Sequence, residues 1–261
     1  MAKNSLVQSV ARALDILDMV ARAEDGLTLQ RIAGRLAVPP PTAYNLARTL
    51  LTRGYLEKTA HPPRYRLGPA PLEILRLRSK RVLLRRAGDE LRALSAAIPR
   101  ATLVFCEHVG GEISAALRIS AERPSVLQQN YQHAMAPYAS VSSLVFLAFW
   151  SEAEREQYRA RHPFEEFGVR VWHDRAALDA FLIEVRRAGY ACLPVSESSG
   201  SLRIAAPVFA PEGPLVASVG LLLPCDRQTP ADSGRLTELL TTAAKRLSTA
   251  ADARETHEEV R

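Results

Sequence analysis

The chain has 261 residues, 47% of them hydrophobic and 24% charged, with a formal net charge of +6. That length accommodates one small and one medium domain, with no internal repeat and no long low-complexity stretch. Cys106, Cys192 and Cys225 are odd in number and dispersed, which argues against a disulfide framework and for buried thiols in a reducing compartment.

The first segment carries Val10, Ala13, Leu14, Leu17 and Val20 at helical spacing, with Ser9 as N-cap and Asp25-Gly26 as the stop. Thr28 caps a second helix whose buried stripe is Leu29, Ile32, Ala33 and Leu36. Ala37-Val38-Pro39 makes the turn. A third helix is expected from Pro41 to Thr52, since proline is tolerated at a helix start where no internal amide bond is lost. Ala43, Leu46, Ala47 and Leu50 then point inward. Tyr44, Asn45 and Arg48 point outward, with Thr42 and Thr49 beside them. Two short strands follow, around Gly54-Tyr55-Leu56 and Tyr65-Arg66-Leu67, joined by a proline-containing turn.

Helix, tight turn, helix and two-stranded wing, in that order, form a winged helix-turn-helix, which lays its last helix in the DNA major groove. Asn45 offers a donor and an acceptor that match an adenine edge, and Arg48 can grip a guanine or a phosphate. Thr42 and Tyr44, near the helix N-terminus, can reach a phosphate or a thymine methyl, and Thr49, with Arg64 and Arg66 on the wing, completes the candidate DNA-binding set. Residues 1–86 hold 16 Lys and Arg against 6 Asp and Glu, a balance of +10, and the remainder balances at −4. A basic module joined to a mildly acidic one fits double-stranded DNA as partner. Arg76, Arg78, Lys80, Arg81, Arg85 and Arg86 lie on a linker helix over residues 69–86, where they either add to that field or solubilise the helix.

Beyond the linker, Leu83–Ala97 reads as a helix, followed by β-rich runs at Ala101–Cys106, Ile113–Ile119 and Val126–Gln129. Ser140–Trp150 is an apolar helix, Ser151–Arg161 a charged one and Asp174–Ala188 an amphipathic one stopped by Gly189. Strands are expected at Tyr190–Val195, Leu202–Val208 and Leu215–Leu223, with a last helix from about Thr229 to Ala251. The fold class is therefore α+β. Three regions are expected: residues 1–68 as the DNA-binding domain, 69–86 as the linker helix, and 87–261 as an effector-binding and oligomerisation domain.

In Arg12-Ala13-Leu14, Gly26-Leu27-Thr28-Leu29, Arg48-Thr49-Leu50, Gly54-Tyr55-Leu56 and Tyr65-Arg66-Leu67-Gly68 the chain resembles the IclR family of transcriptional regulators. The resemblance continues through Arg187-Ala188-Gly189-Tyr190-Ala191 and Ile204-Ala205-Ala206-Pro207-Val208, and so covers nearly the whole chain. The resemblance implies a GAF-like second domain with a cupped pocket for a small-molecule effector. Many family members place a His, a Gly-Lys pair, an acidic residue, a cysteine and two serines around that ligand. Here the matching positions hold Tyr138, Ser143 with Leu144, Leu193, Arg203, and Gly220 with Leu222. The family's polar, small-carboxylate pocket does not carry over. Mostly apolar replacements plus one arginine imply an organic acid with an apolar or aromatic body. Ser140, Val141, Ser142 and Ser143, at the start of a helix, add amides and hydroxyls that favour an anion.

No Walker loop, dinucleotide fingerprint or Gly-x-Ser-x-Gly elbow occurs, and the run Ser196–Ser201 reads as a polar loop, so no enzyme activity and no cofactor are expected. The six histidines lack metal-ligand spacing, and His162 and His173 read as surface residues. No stretch reaches the roughly twenty apolar residues of a membrane span. The polar start Met1-Ala2-Lys3-Asn4 lacks a secretory core, so a cytoplasmic regulator acting as a dimer or dimer of dimers is expected. Two other classes remain open: an architectural DNA-binding protein with a vestigial pocket, and an enzyme docked by its basic N-terminal domain. Repression and activation are equally compatible with the sequence.

Overall fold

The structure, a computed structural model, describes residues 6–193, 200–211, 213–225 and 232–250. The chain divides into two compact units between Lys80 and Arg81.

The first unit comprises α1 (Gln8–Ala21), α2 (Leu29–Leu36), α3 (Pro40–Thr52), β1 (Leu56–Lys58) and β2 (Tyr65–Leu67). Thr28 caps α2 by accepting from the Arg31 amide at 3.4 Å. Ala37 turns the chain in the left-handed region, at φ 51°, and its amide closes α2. Pro39 and Pro40 then start α3 where a missing N–H costs nothing. The strands β1 and β2 pair antiparallel, Leu56 opposite Leu67 and Lys58 opposite Tyr65. Gly26 has φ +73°, and a Cβ there would lie 2.5 Å from the Tyr65 carbonyl, so only glycine lets the α1 exit pass this close to the wing. Ile16, Val20, Leu27, Ile32, Ala43, Ala47, Leu56 and Tyr65 form the core.

Two expectations for α1 are corrected. Its N-cap is Val7, with no side-chain bond, rather than Ser9. Its buried face is Ile16 and Val20, with Ala13 and Leu17 half-buried, whereas Val10 and Leu14 are 56% and 57% exposed. An apolar stripe wider than the core leaves the period intact but misplaces its centre.

Helix α4 (Ala70–Ala97) runs without a break through the division, so the linker and the expected Leu83–Ala97 helix are one element. Its buried residues begin at Leu83, while Leu72, Ile74, Leu75 and Leu77 are exposed.

In the second unit, β3 (Thr102–Val109), β4 (Glu112–Ser120), β5 (Arg123–Ala134), β6 (Ala191–Leu193), β7 (Ser201–Phe209) and β8 (Leu215–Pro224) form an antiparallel sheet. Their order is β5-β4-β3-β8-β7-β6. One face packs on α4 and on α9 (Ser233–Ala250) through Leu91, Leu94, Leu103, Phe105, Leu240 and Leu247. Ser95 on α4 donates to the Pro124 carbonyl at 2.9 Å and pins that helix to β5. The other face carries α5 (Val141–Phe149), α6 (Glu152–Arg161), the single turn α7 (Phe164–Phe167) and α8 (Arg175–Ala188). Helix α5 is buried from Val141 to Ala148 because it lies between the sheet and α8, which explains its uniformly apolar sequence.

The helix ends follow their capping chemistry. Ser151 and Glu154 form a reciprocal capping box on α6, Asp174 accepts from the Ala177 amide at 2.8 Å, and Gly189 ends α8 at φ 80°. The strand β5 is longer than expected because it is an edge strand, where polar residues such as Gln128 and Gln129 break the apolar pattern. The turn α7 is too short to show a period. His162 is buried rather than on the surface, stacked 4.4 Å from the Tyr158 ring with Nε2 3.3 Å from Glu112. His173 is exposed. Of the expected polar loop 196–201, only Gly200 and Ser201 fall within the described residues, and Ser201 opens β7.

Candidate functional site

Burial fixes the outward face of α3. With Ala43, Ala47 and Leu50 in the core, the 100° step per residue leaves Tyr44, Asn45, Arg48 and Thr49 exposed, with Thr42 half-buried. The Thr49 hydroxyl donates to the Asn45 carbonyl at 2.9 Å, so it is engaged by its own helix. The exposed amide of Asn45 and guanidinium of Arg48 are therefore the side-chain heads suited to base edges. Arg66 is exposed on β2, opposite Glu57. Arg64 sits differently. It is half-buried, and its Nη1 donates to the Gly26 carbonyl at 3.3 Å, while its backbone amide and carbonyl engage the Thr59 hydroxyl. That geometry ties the wing to the end of α1 and gives Arg64 a structural bond in addition to the DNA contact expected from the sequence.

The second unit holds a cavity of about 400 Å³ between the sheet and the N-terminus of α5. Strand register builds its floor. Arg118 lies opposite Val104, Val104 opposite Gly220, and in the next row Thr102 lies opposite Leu222 and Leu222 opposite Arg203. Ser140, Val141 and Ser142 form the roof, and Ala115, His133 and Met135 close one side. Ser140 caps α5, its Oγ accepting from the Ser143 amide at 3.2 Å. The cavity therefore meets the first turn of a helix, where unpaired amides favour negative charge. Arg203 Nε is buried without a hydrogen-bond partner, and Ser142 Oγ is buried against the Cys106 thiol, a weak partner.

Of the effector residues expected from the sequence, Ser140, Val141, Ser142, Arg203, Gly220 and Leu222 line this cavity, and Tyr138, Ser143 and Leu193 do not. Tyr138, at φ 54°, turns into the cluster beneath α5, where its hydroxyl donates to the His162 carbonyl at 2.6 Å and its ring meets Phe164 edge-on. Burial there pushes the Tyr138 hydroxyl above its ordinary pKa. Ser143 turns toward Tyr158, and Leu193 packs into the same cluster from the edge strand. Thr102, Val104, Ala115, Arg118, His133 and Met135 were missed, because residues on separate strands share no sequence spacing. Arg118 donates to Gln128 at 3.2 Å, which holds its guanidinium at the cavity's far end. Cys106 lies buried beside Ser142 and Ser218, and burial pushes its thiol up to about 12. It is therefore protonated at neutral pH and no nucleophile.

Residues 9–60 match the family model for the IclR helix-turn-helix domain, and residues 118–249 match that for the bacterial transcriptional regulator IclR C-terminal region. The chain is similar to the HTH-type transcriptional regulator BhcR of Paracoccus denitrificans (strain Pd 1222), with 28% identity over 253 residues, 93% of this chain and 86% of that protein. It is also similar to the HTH-type transcriptional regulator XynR of Escherichia coli (strain K12), with 24% identity over 255 residues, 94% and 97% of the two chains. Among solved structures, the Thermotoga maritima IclR superposes with a TM-score of 0.54 at 19% identity, covering 94% of this chain and 99% of that one. An IclR homolog complexed with 4-hydroxybenzoate from Microbacterium hydrocarbonoxydans superposes with a TM-score of 0.52 at 24% identity, covering 95% and 99%. These structural likenesses concern the fold.

Proposed function

The chain belongs to the IclR family of bacterial transcriptional regulators, and we propose that it is a non-enzymatic regulator, acting in the cytoplasm, whose operator binding responds to an organic acid with an apolar, aromatic body. The observation that carries the effector class is Arg203: its Nε is buried without a partner on the wall of a cavity otherwise lined largely by apolar groups. A buried guanidinium nitrogen left unpaired is costly, and a carboxylate is its best partner. Val104, Met135, Val141 and Leu222 suit the apolar body and disfavour small, fully polar acids. The 4-hydroxybenzoate bound by the Microbacterium hydrocarbonoxydans homolog is an acid of this kind.

Asn45 and Arg48 read bases in the major groove, and Arg66 meets the phosphates. One winged helix covers few base pairs, so the protein works as a dimer or dimer of dimers on a roughly palindromic site. The stripe Leu6, Val7, Val10 and Leu14, together with Leu72, Leu75 and Leu77, is exposed and supports that assembly. The effector acts by binding one arrangement of the DNA-reading units better than another.

Calorimetry with the full chain tests the effector class, using the matched pairs benzoate and benzamide, and hexanoate and hexanamide. Arg203→Ala is expected to weaken acid binding by about 2 kcal/mol, the worth of a charge-assisted hydrogen bond, and to leave amide binding nearly unchanged. Equal losses for acid and amide refute the role of Arg203. A solution mass of one chain at micromolar concentration, with undiminished operator binding, refutes the assembly.

A further inference from the structure

We propose that the hollow between α6 and α8 binds a small phosphate-bearing metabolite, at a site separate from the cavity at the N-terminus of α5. The hollow has a volume of about 430 Å³, and two helix faces wall it. Glu152, Arg155 and Arg159 stand at i, i+3 and i+7 on α6 and share one side of that helix. Arg175, Asp179 and Arg186 stand at i, i+4 and i+11 on α8 and share the side turned toward them. Ala148, in the last turn of α5, also lines the hollow, so the two sites lie at opposite ends of one helix.

Four guanidinium groups meet two carboxylates here, a surplus of two positive charges. Glu152 is shared, pairing with Arg155 at 2.6 Å and with Arg159 at 2.8 Å. A guanidinium carries five N–H donors, so one shared carboxylate occupies few of them. Both arginine side chains remain 22% exposed, and Arg175 is exposed, so a ligand reaches all three. Arg186 is committed to the fold: its Nε donates to the Ala148 carbonyl at 2.7 Å and its Nη2 to the Trp150 carbonyl at 3.3 Å. It contributes charge alone. Arg175 works against its own helix, because it is the first residue of α8, where the helix dipole disfavours a cation. The charges of Arg159 and Arg175 both act on the Tyr138 hydroxyl, which places them near one point. An anion held between them offsets the surplus and relieves the conflict at α8. A phosphate monoester presents three strong acceptor oxygens and is met by guanidinium groups from both walls, whereas a carboxylate presents two in one plane. Leu182 and Ile183 add apolar surface suited to the ester's carbon body.

Calorimetry on the full chain with inorganic phosphate, glucose 6-phosphate, glucose and succinate tests the site. Both phosphates are expected to bind once per chain, succinate at least tenfold more weakly, and glucose not at all. Arg175→Gln should weaken glucose 6-phosphate about tenfold, the loss of one charge-assisted hydrogen bond. Asp179→Asn removes a repelling carboxylate and should tighten binding about twofold. Arg235→Gln makes the same charge change at an exposed position on α9 and should leave binding unchanged, as should Arg203→Ala in the other cavity. No binding of either phosphate at millimolar concentration, or succinate binding as tightly, overturns the proposal. So does an equal loss in Arg235→Gln and Arg175→Gln, which would show general attraction to basic surface. A loss in Arg203→Ala with none in Arg175→Gln would move the phosphate to the α5 cavity and also overturn it. The role of Arg203 toward an organic acid stands or falls separately, because that test uses other ligands and another variant.

Discussion

The helix-turn-helix unit carries its candidate contact side chains outside its core, and the second unit carries its candidate ligand residues around a cavity. In α3 the core takes Ala43, Ala47 and Leu50, and the face left over is the candidate contact surface. Around the cavity, the candidate residues lie where the sheet meets α5, and Arg203 Nε and Ser142 Oγ among their polar atoms are buried. An outward face can change its chemistry with little effect on stability, because its side chains are already hydrated. A buried cavity cannot, because every polar atom there needs a partner and every atom removed leaves a void.

The sharpest way to test that contrast is a core residue beneath the cavity. Phe105, fully buried against the layer of α4 and α9, is expected to cost about 3–5 kcal/mol on change to alanine, read by urea denaturation. A loss under 1 kcal/mol would mean that the sheet is not packed as described. On the outward face, Asn45→Ala and Arg48→Ala should each weaken operator binding by about 1–3 kcal/mol at matched salt and leave the denaturation midpoint nearly unchanged. Parent-like binding by both variants would remove α3 as the reading face.

Arg64 probes the border between the two behaviours. Its bond to the Gly26 carbonyl predicts a stability loss of about 1 kcal/mol for Arg64→Ala, with only a small change in the salt dependence of DNA binding. Arg66→Ala should do the reverse, lowering the salt slope by about one charge. Should the two variants exchange these effects, the wing assignments must be swapped. The smallest expected effect is on cysteine chemistry. Cys106, held protonated by burial, should resist alkylation at pH 8 in the native protein and react once denaturant unfolds it. Fast native-state labelling of Cys106 would show that the sheet opens there.

The same contrast explains what the sequence made legible. The helices of the first unit, the Thr28 cap and the outward residues of α3 follow from local periodicity, and each appears where the pattern puts it. The face of α1 was misplaced because its apolar stripe is wider than the core it serves, so period alone could not choose Ile16 over Leu14. In the second unit the strands and major helices were legible as elements, but the cavity was only partly so. Of the residues that motif alignment singles out, Arg203, Gly220, Leu222 and the start of α5 line the cavity, and Tyr138, Ser143 and Leu193 lie outside it. Tyr138 turns away because the left-handed backbone there and the bond to the His162 carbonyl outweigh any pull toward the pocket.

By itself the sequence determined the order of elements, the charge split between the halves, the outward face of α3 and the family, because these are properties of neighbours along the chain. Only the tertiary structure decided that Thr102, Val104, Arg118 and His133 meet around the same space, that Arg64 bonds the Gly26 carbonyl, and that His162 is buried. Those outcomes depend on cross-strand register and on which side chains find partners. Residues far apart in sequence settle both through packing and hydrogen bonding, and no local pattern encodes either.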